Sequence, residues 1–409
     1  MMKIGVIGFG VVGSGVYEVI RKNRESIARK AGQEVDIKYI LDIRDFSDHP
    51  EKELFVKDFD TMVNDAEVGI IVEVMGGLDP AYEYTKRALC AGKHVVTSNK
   101  ELVATYGDEL LALANKNGVS YLFEASVGGG IPIIRPLNQC LAANEISAIV
   151  GILNGTTNYI LTQMFKNGKD FDVALKDAQE KGYAERNPAA DVEGYDACRK
   201  ICILSSLAFG KHVDYREVYT EGITALTLRD IAYAEEMGCV VKLLGYSKLL
   251  DDGRIDIKVA PMMIPNEQPL ATVSDVYNGI QVRGNAIGDA MFYGPGAGKL
   301  PTASAVVADV IDIAKAPERA GRVMWVRTDE KLVLPADEAC ASYFVRVETA
   351  DKNAVSVSAK AEFDGATIID KFDNELGILT GCMSEGELKG KLSNLPGKVI
   401  GFLRVLPQA

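Results

Sequence analysis

Residues 3–20 read KIGVIGFGVVGSGVYEVI, and the reading of the fold turns on them. The apolar run at 3–7 predicts a strand. Gly8-Phe9-Gly10-Val11-Val12-Gly13 predicts a tight turn, and the apolar positions Val16, Val19, Ile20 and Ile27 predict one face of a helix. In a strand-turn-helix of this kind Gly8 permits the turn and Gly10 lets a pyrophosphate approach the backbone. Gly13 allows close helix packing, with the helix N-terminus facing the phosphates. GxGxxG is weak evidence alone but much stronger directly after a strand and before a helix. It points to a Rossmann-type domain holding a nicotinamide or flavin dinucleotide, with Gly8, Phe9, Gly10, Val11, Val12 and Gly13 as cofactor contacts.

Outward from the turn, 37–41 predicts a second strand that ends in Asp42-Ile43-Arg44-Asp45. An acid there grips the ribose 2′-hydroxyl of NAD, whereas an arginine accommodates the 2′-phosphate of NADP. Both are present, so these residues leave the choice open. The run VGIIVEV at 68–74 predicts a buried strand ending at Met75-Gly76-Gly77, where glycine lets the chain pass close to a nicotinamide. A helix at 81–91 stops at Gly92, and a strand at 94–97 ends in Ser98-Asn99-Lys100. Ligands of doubly wound sheets lie beyond the carboxyl ends of the strands, which makes Gly76, Ser98 and Lys100 candidate contacts. A solvated surface charge is the plainer account of Lys100.

Composition narrows the class. The chain has 409 residues, enough for two or three domains, with 47% hydrophobic and 25% charged residues. A net charge of −12, with no clustered Lys and Arg, argues against nucleic acid. No stretch approaches the run of about 20 apolar residues that a membrane span needs. Seven scattered cysteines read as reduced thiols in a cytoplasmic protein, and Cys198 and Cys202 lack the further ligands that zinc requires. Three histidines make a histidine-based triad improbable and shift acid/base chemistry to lysines and carboxylates.

Those groups gather between residues 151 and 200, which include GILNGTTNYILTQM at 151–164 and AQEKGYAERNPAADVEGYDACRK at 178–200. Asp196 and Lys200 stand four apart at the mouth of a helix that continues as ICILSSLAF, a costly place for unpaired charges. Glu185 and Asp191 precede them in a loop marked by Asn187-Pro188. A salt bridge at a helix end would explain the Asp/Lys pair but not the richness of the loop in acids. The turn at 154–158 caps a helix, and its side-chain oxygens could also line a cleft. Upstream, YLFEA at 121–125 predicts the last strand of the first domain. The run Ser126-Val127-Gly128-Gly129-Gly130-Ile131-Pro132 then exposes backbone carbonyls that, with Glu124, suit a hard cation; a plain hinge is the other reading.

NGTTNYIL, GYAE and DVEGYDACRK, together with VVTSNKELVA at 95–104, closely resemble homoserine dehydrogenases, over nearly all of residues 2–320. The resemblance implies a reversible NAD(P)H-dependent reduction of L-aspartate 4-semialdehyde to L-homoserine, in threonine, methionine and isoleucine biosynthesis. It implies Lys200 and Lys100 as catalytic residues, and Glu185, Asp196, Asp191 and Thr156 as substrate contacts. Arg44 and Lys57 tilt the cofactor toward NADP(H) over NAD(H), with Gly182 and Gly296 as further cofactor contacts. A structural Na+ would be held by Glu124 and the carbonyls of Val127, Gly129 and Ile131. The aldehyde oxygen must gain a proton as the carbon gains a hydride, which a lysine supplies, while an amino-acid ammonium needs carboxylates. Which lysine is the acid stays open; the hypothesis is that Lys200 donates and Lys100 orients.

The expected architecture is α/β. Residues 1–130 with 295–320 form the nucleotide-binding domain, because the glycine loop at 294–298 and the apolar helix after it return to it, as the family implies. Residues 131–294 form an α+β substrate domain; the family pairs through this domain, so the resemblance implies dimerisation there and a homodimer or homotetramer. Residues 340–409 predict strand, helix, two strands, helix, strand, a ferredoxin-like order resembling an ACT regulatory domain. Asp351-Lys352-Asn353-Ala354 departs from the Pro-Gly usual after the first turn, so threonine feedback is doubtful. Nothing like an aspartate kinase precedes the chain, which implies the monofunctional form. Two rivals remain: a dehydrogenase of another small amino or oxo acid, and a dinucleotide-binding regulator without catalysis.

Overall fold

The strand predicted at 3–7 forms as β1 (Met2–Ile7) at the centre of a six-stranded parallel sheet. The computed structural model describes residues 1–318 and 324–406. The ends of the expected 295–320 and 340–409 segments, residues 319–320 and 407–409, lie outside the described residues. The sheet also contains β2 (Val35–Leu41), β3 (Phe55–Val56), β4 (Val68–Glu73), β5 (His94–Thr97) and β6 (Tyr121–Leu122), in the order β3-β2-β1-β4-β5-β6. Strand order reverses direction beside β1, between β1 and β4, and there the loop carrying Gly8 to Gly13 leaves the sheet.

Two sequence expectations shift here. The single helical face read through Ile27 divides at Asn23 into helices Val11–Lys22 and Arg24–Ala31. The strand expected at 121–125 stops at Leu122, because the chain turns inward through a 3-10 turn at Glu124–Ser126. Helix Lys299–Lys315 lies against helix Val11–Lys22 so closely that a Cβ on Gly15 would stand 2.7 Å from the Lys299 carbonyl oxygen. Ile4, Val6, Val16, Ile20, Ile37, Val72, Val96, Val306, Val310 and Ile313 share one buried cluster. Each side chain of this size contributes about 1.5–3 kcal/mol by leaving water. These elements belong to a compact unit made of Met1–Ile146, Arg199–Arg216 and Gly284–Asp329.

The second unit comprises Ser147–Cys198, Glu217–Arg283 and Glu330–Ala409. In chain order the further strands are β7 (Ile146–Ile152), β8 (Tyr219–Thr220), β9 (Cys239–Leu249), β10 (Ile255–Pro265), β11 (Tyr277–Gly284) and β12 (Gly288–Pro295). They continue with β13 (Cys340–Glu348), β14 (Thr367–Phe372), β15 (Glu375–Leu379), β16 (Met383–Ser384) and β17 (Lys398–Val405). The main sheet of this unit runs β11-β7-β9-β10-β17-β13-β15-β14. Antiparallel β9 and β10 pair along their full length, from Cys239 opposite Pro265 to Leu249 opposite Ile255.

The C-terminal strands and helices follow the predicted ferredoxin-like order, and β17 extends the sheet by pairing in parallel with β10 at Met262 and Met263. Helix Leu228–Glu236 is held against this module. The ring of Tyr233 lies 5.0 Å from that of Phe344 and 5.2 Å from that of Phe372. A Cβ on Gly377 would collide with Phe344 and Tyr233 at 2.8 and 2.9 Å, so only glycine admits both rings. Buried Arg346 completes the joint by donating to Asp230 at 2.8 Å and to Glu375 at 2.6 and 3.0 Å. The module keeps a hydrophobic cluster of its own, with Tyr343, Val345, Phe363, Ile378 and Leu388, and these contacts join it to the rest of its unit.

Candidate active site

At the glycine turn each glycine has its own reason. Gly8 has φ +94° and donates to the Leu41 carbonyl at 2.8 Å. A Cβ on Gly13 would stand 1.9 Å from the Gly8 carbonyl oxygen, which no side chain could tolerate. A Cβ on Gly10 would meet nothing within 4 Å, so that stretch of backbone is open to an approaching group. Helix Val11–Lys22 has neither a side-chain cap nor an acid in its first turn, and among the described residues no hydrogen bond uses the amides of Val11, Val12 or Gly13. Uncapped amides and the positive end of a helix dipole suit a diphosphate.

The amide of Phe9 is already spent on Asp42 Oδ2, at 2.7 Å. Asp42 also accepts from Arg44, through the backbone amide at 2.9 Å, Nε at 3.0 Å and Nη2 at 2.8 Å. These bonds, chiefly from the Arg44 side chain, hold the Asp42 carboxyl well below the usual carboxylate range. Lys57 Nζ donates to the carbonyls of Asp42 at 3.0 Å, Ile43 at 3.2 Å and Arg44. Two cations thus converge on the loop that follows β2, and its first acid is neutralised by one of them.

The carboxyl ends of β4 and β5 are tied together by a residue the sequence reading passed over. Glu73 is fully buried; Oε2 accepts from Thr97 Oγ1 at 2.6 Å and Oε1 from the Met75 amide at 2.8 Å. Burial pushes its carboxyl up. Thr97 Oγ1 accepts from the Asn99 amide, and Asn99 Nδ2 donates to the Gly77 carbonyl at 2.6 Å. Asn99 Oδ1 caps helix Lys100–Lys116 by accepting from Leu102 at 3.1 Å. The Gly76 and Gly77 turn, with φ of +87° and +73°, Ser98 and the start of the Lys100 helix are therefore set by one buried network. Its trace in the sequence was an acid inside an otherwise apolar run.

Glu124 is also buried. Oε1 accepts from the amides of Ile133 at 2.6 Å and Ile134 at 2.9 Å, and Oε2 from that of Arg135 at 2.7 Å. Asp309 accepts the Glu124 amide at 2.9 Å and Arg135 Nη2 at 2.6 Å. Burial and the nearby Glu124 carboxylate push the Asp309 carboxyl up to about 8 against the pull of Arg135. The glycine run after Glu124 presses on the second glycine loop, where a Cβ on Gly129 would stand 2.2 Å from the Gly296 carbonyl oxygen. Gly130 donates to the Pro295 carbonyl at 3.1 Å.

In the second unit Asn154 brings two of the expected acids together. Its Nδ2 donates to Asp191 Oδ1 at 2.7 Å and to Asp196 Oδ2 at 2.9 Å. Its Oδ1 caps helix Gly155–Asn167 by accepting from the Thr157 amide at 2.9 Å. Thr156 Oγ1 donates to the Tyr183 carbonyl at 2.7 Å, which anchors the loop before Glu185. Glu185 itself is exposed, and Gly182, with φ +75°, ends helix Phe171–Glu180. Asp196 and Lys200 are buried one turn apart on helix Tyr195–Phe209, and Arg199 between them donates to Glu101 at 3.0 Å.

The family model for homoserine dehydrogenase matches residues 132–311, and that for the homoserine dehydrogenase NAD binding domain matches residues 8–124. A homoserine dehydrogenase of Neisseria gonorrhoeae is 41% identical over 96% of this chain and 94% of its own length. The chain belongs to the homoserine dehydrogenase family. A Synechocystis homoserine dehydrogenase is 47% identical over 76% of this chain and 73% of its own. The crystal structure of a homoserine dehydrogenase from Thiobacillus denitrificans matches with a TM-score of 0.91 at 36% identity, covering 99% of this chain and 98% of that one. A hyperthermophilic archaeal homoserine dehydrogenase in complex with NADPH matches with a TM-score of 0.66 at 31% identity, covering 79% of this chain and 99% of that one.

As a homoserine dehydrogenase family member the chain is an oxidoreductase with a nucleotide-binding domain. The α/β architecture read from the glycine turn is that of the family. Beyond Glu73, the sequence reading missed the bridging role of Asn154, which it read as a cap. It also missed Lys242, whose buried Nζ donates to Asn158 Oδ1 at 2.9 Å and the Val273 carbonyl at 2.6 Å. A lysine inside the apolar strand β9 was the available signal.

Proposed function

We infer that this chain interconverts L-aspartate 4-semialdehyde and L-homoserine, with NADP(H) preferred over NAD(H). The observation that carries the reading is the buried Asp196, anchored by Asn154 at the start of the helix that buries Lys200 on its next turn. A bound nicotinamide supplies the hydride to the carbonyl carbon. In reduction Lys200 Nζ gives a proton to the carbonyl oxygen, and in oxidation it takes that proton back; Lys100 orients the oxygen. Asp196 and Glu185 hold the substrate ammonium, and Asn154 keeps Asp196 and Asp191 in place. The amides of Val11, Val12 and Gly13 would receive the diphosphate. Arg44 and Lys57 favour a 2′-phosphate, since Asp42, the group that would grip a ribose hydroxyl, is bound to Arg44. The archaeal relative solved with NADPH agrees with that choice.

Glu124 and the carbonyls of Val127, Gly129 and Ile131 would hold a sodium ion. Two observations support the fit. No hydrogen bond among the described residues ends on those three carbonyls, and Glu124 Oε2 accepts one amide only, which leaves it a lone pair. The C-terminal module is ACT-like in topology and serves subunit contact in a homodimer or homotetramer. We assign the protein to the cytoplasm on its seven scattered cysteines; separately, no helix among the described residues is long and apolar enough to cross a membrane.

The test follows NADPH and NADH absorbance with purified protein and L-aspartate 4-semialdehyde, and the reverse reaction with L-homoserine. Turnover in both directions with NADPH favoured is expected. Tight cofactor binding without turnover would overturn the substrate assignment. A Lys200→Ala variant with near-normal turnover, beside a slow Lys100→Ala, would exchange the roles of the two lysines.

A further inference from the structure

The residue after Lys100 and the residue before Lys200 are bonded to each other. Arg199 Nη2 donates to Glu101 Oε1 at 3.0 Å, with both side chains half-buried. The two helices concerned, Lys100–Lys116 and Tyr195–Phe209, are also fastened at a second place, farther from the lysines. There the segment from Trp325 to Arg327 acts as a strap. Val326 donates to the Gly210 carbonyl at 3.1 Å and accepts from the His212 amide at 2.9 Å, just beyond the end of the second helix. Arg327 donates to Asp108 at 2.8 and 3.3 Å on the first helix. Trp325 lies so tightly against Gly107 that a Cβ there would stand 2.4 Å from the indole.

Two rods joined at one point can swing about it; joined at two, they cannot. We propose that the Glu101–Arg199 pair is a positioning device that, with the Trp325–Arg327 strap as the remote fastening, sets the spacing of Lys100 and Lys200 for proton transfer. The proposal rests on the lysine roles assigned under the proposed function. Half-buried between the two helices, the pair is less screened than a fully exposed one, and it acts at the helix ends where the two lysines stand. Proton transfer and carbonyl orientation are steep in distance, and a misplacement of about 1 Å costs about 100-fold in rate.

The experiment compares Glu101→Gln, Arg199→Met and the charge-swapped double variant Glu101→Arg/Arg199→Glu with the parent and with Lys100→Ala and Lys200→Ala, all as full-length enzyme. Each single variant of the pair is expected to lower kcat about 10- to 100-fold. KM for L-homoserine and the NADPH dissociation constant should stay within about threefold, and the emission of Trp325, the chain's one tryptophan, should stay unchanged because the strap is intact. The swapped pair is expected to recover most of the lost kcat. Slow lysine variants beside pair variants of parental kcat would overturn the positioning proposal alone, as would a loss that the swap fails to recover. Parental kcat in both lysine variants would overturn the lysine roles and the positioning proposal with them.

Discussion

Replacing Asn154 by serine separates the two tasks of its amide. Serine ranks with asparagine as a helix cap, so the bond that Oδ1 accepts from the Thr157 amide has a substitute and the cap contributes little to the difference. What is lost is Nδ2, with its bonds to Asp191 at 2.7 Å and Asp196 at 2.9 Å. A hydrogen bond to a charged group contributes about 1.5–3 kcal/mol, so two give about 3–6 kcal/mol. The space left by the shorter side chain admits a water, which favours the lower end, about 3 kcal/mol. Asn154→Asp is the complementary change: it keeps the shape and the cap acceptor but sets a third carboxylate between two others. Like charges raise the folded-state pKa of that carboxyl above its unfolded value, so the folded chain holds the proton longer and stability falls as pH rises through the acidic range. Urea unfolding followed by circular dichroism reads both costs, and steady-state kinetics at saturating NADP+ should show KM for L-homoserine raised about tenfold, with kcat less affected. If Asn154→Ser stayed within about 0.5 kcal/mol of the parent with an unchanged KM, the bridge would not be what anchors these acids.

Three further perturbations address other sites. Burial lowers the pKa of Lys242 from 10.5 to about 8, so between those values the unfolded chain binds more protons and stability rises with pH, by about 3 kcal/mol in all; Lys242→Met should flatten that rise in unfolding measured from pH 7 to 10.5. Arg44→Ala should raise KM for NADPH about tenfold while changing that for NADH little, and an equal effect on both would remove Arg44 as the phosphate contact. Glu124→Gln sets an NH2 group among three amide donors and should destabilise the protein by about 2–4 kcal/mol. Under the sodium proposal it should also abolish any difference between thermal unfolding in NaCl and in choline chloride; a difference that survives the substitution would place the ion elsewhere.

The glycine turn was legible because its reasons are local. Gly8 needs a positive φ and Gly13 touches Gly8 five residues away, so spacing alone reveals both. The strand runs, the ferredoxin-like order and the Asp196/Lys200 spacing are local in the same way. Where local pattern misled, a buried contact from elsewhere had intervened: the last strand of the first sheet stops short because Glu124 turns inward to accept amides nine to eleven residues on. The helix expected through Ile27 divides at Asn23, for which the hydrophobic period carried no sign.

By itself, then, the sequence determined most of the strands and helices, the presence of a nucleotide-binding domain and which acids and lysines are available, since side-chain period and backbone conformation act within a few residues. Only the tertiary structure decided how those groups are held. Asn154 meets Asp191 and Asp196 across 37 and 42 residues, and Arg199 meets Glu101 across 98. A hydrogen bond between distant side chains leaves no periodic trace along the chain; it exists only once packing has brought its two ends to within about 3 Å.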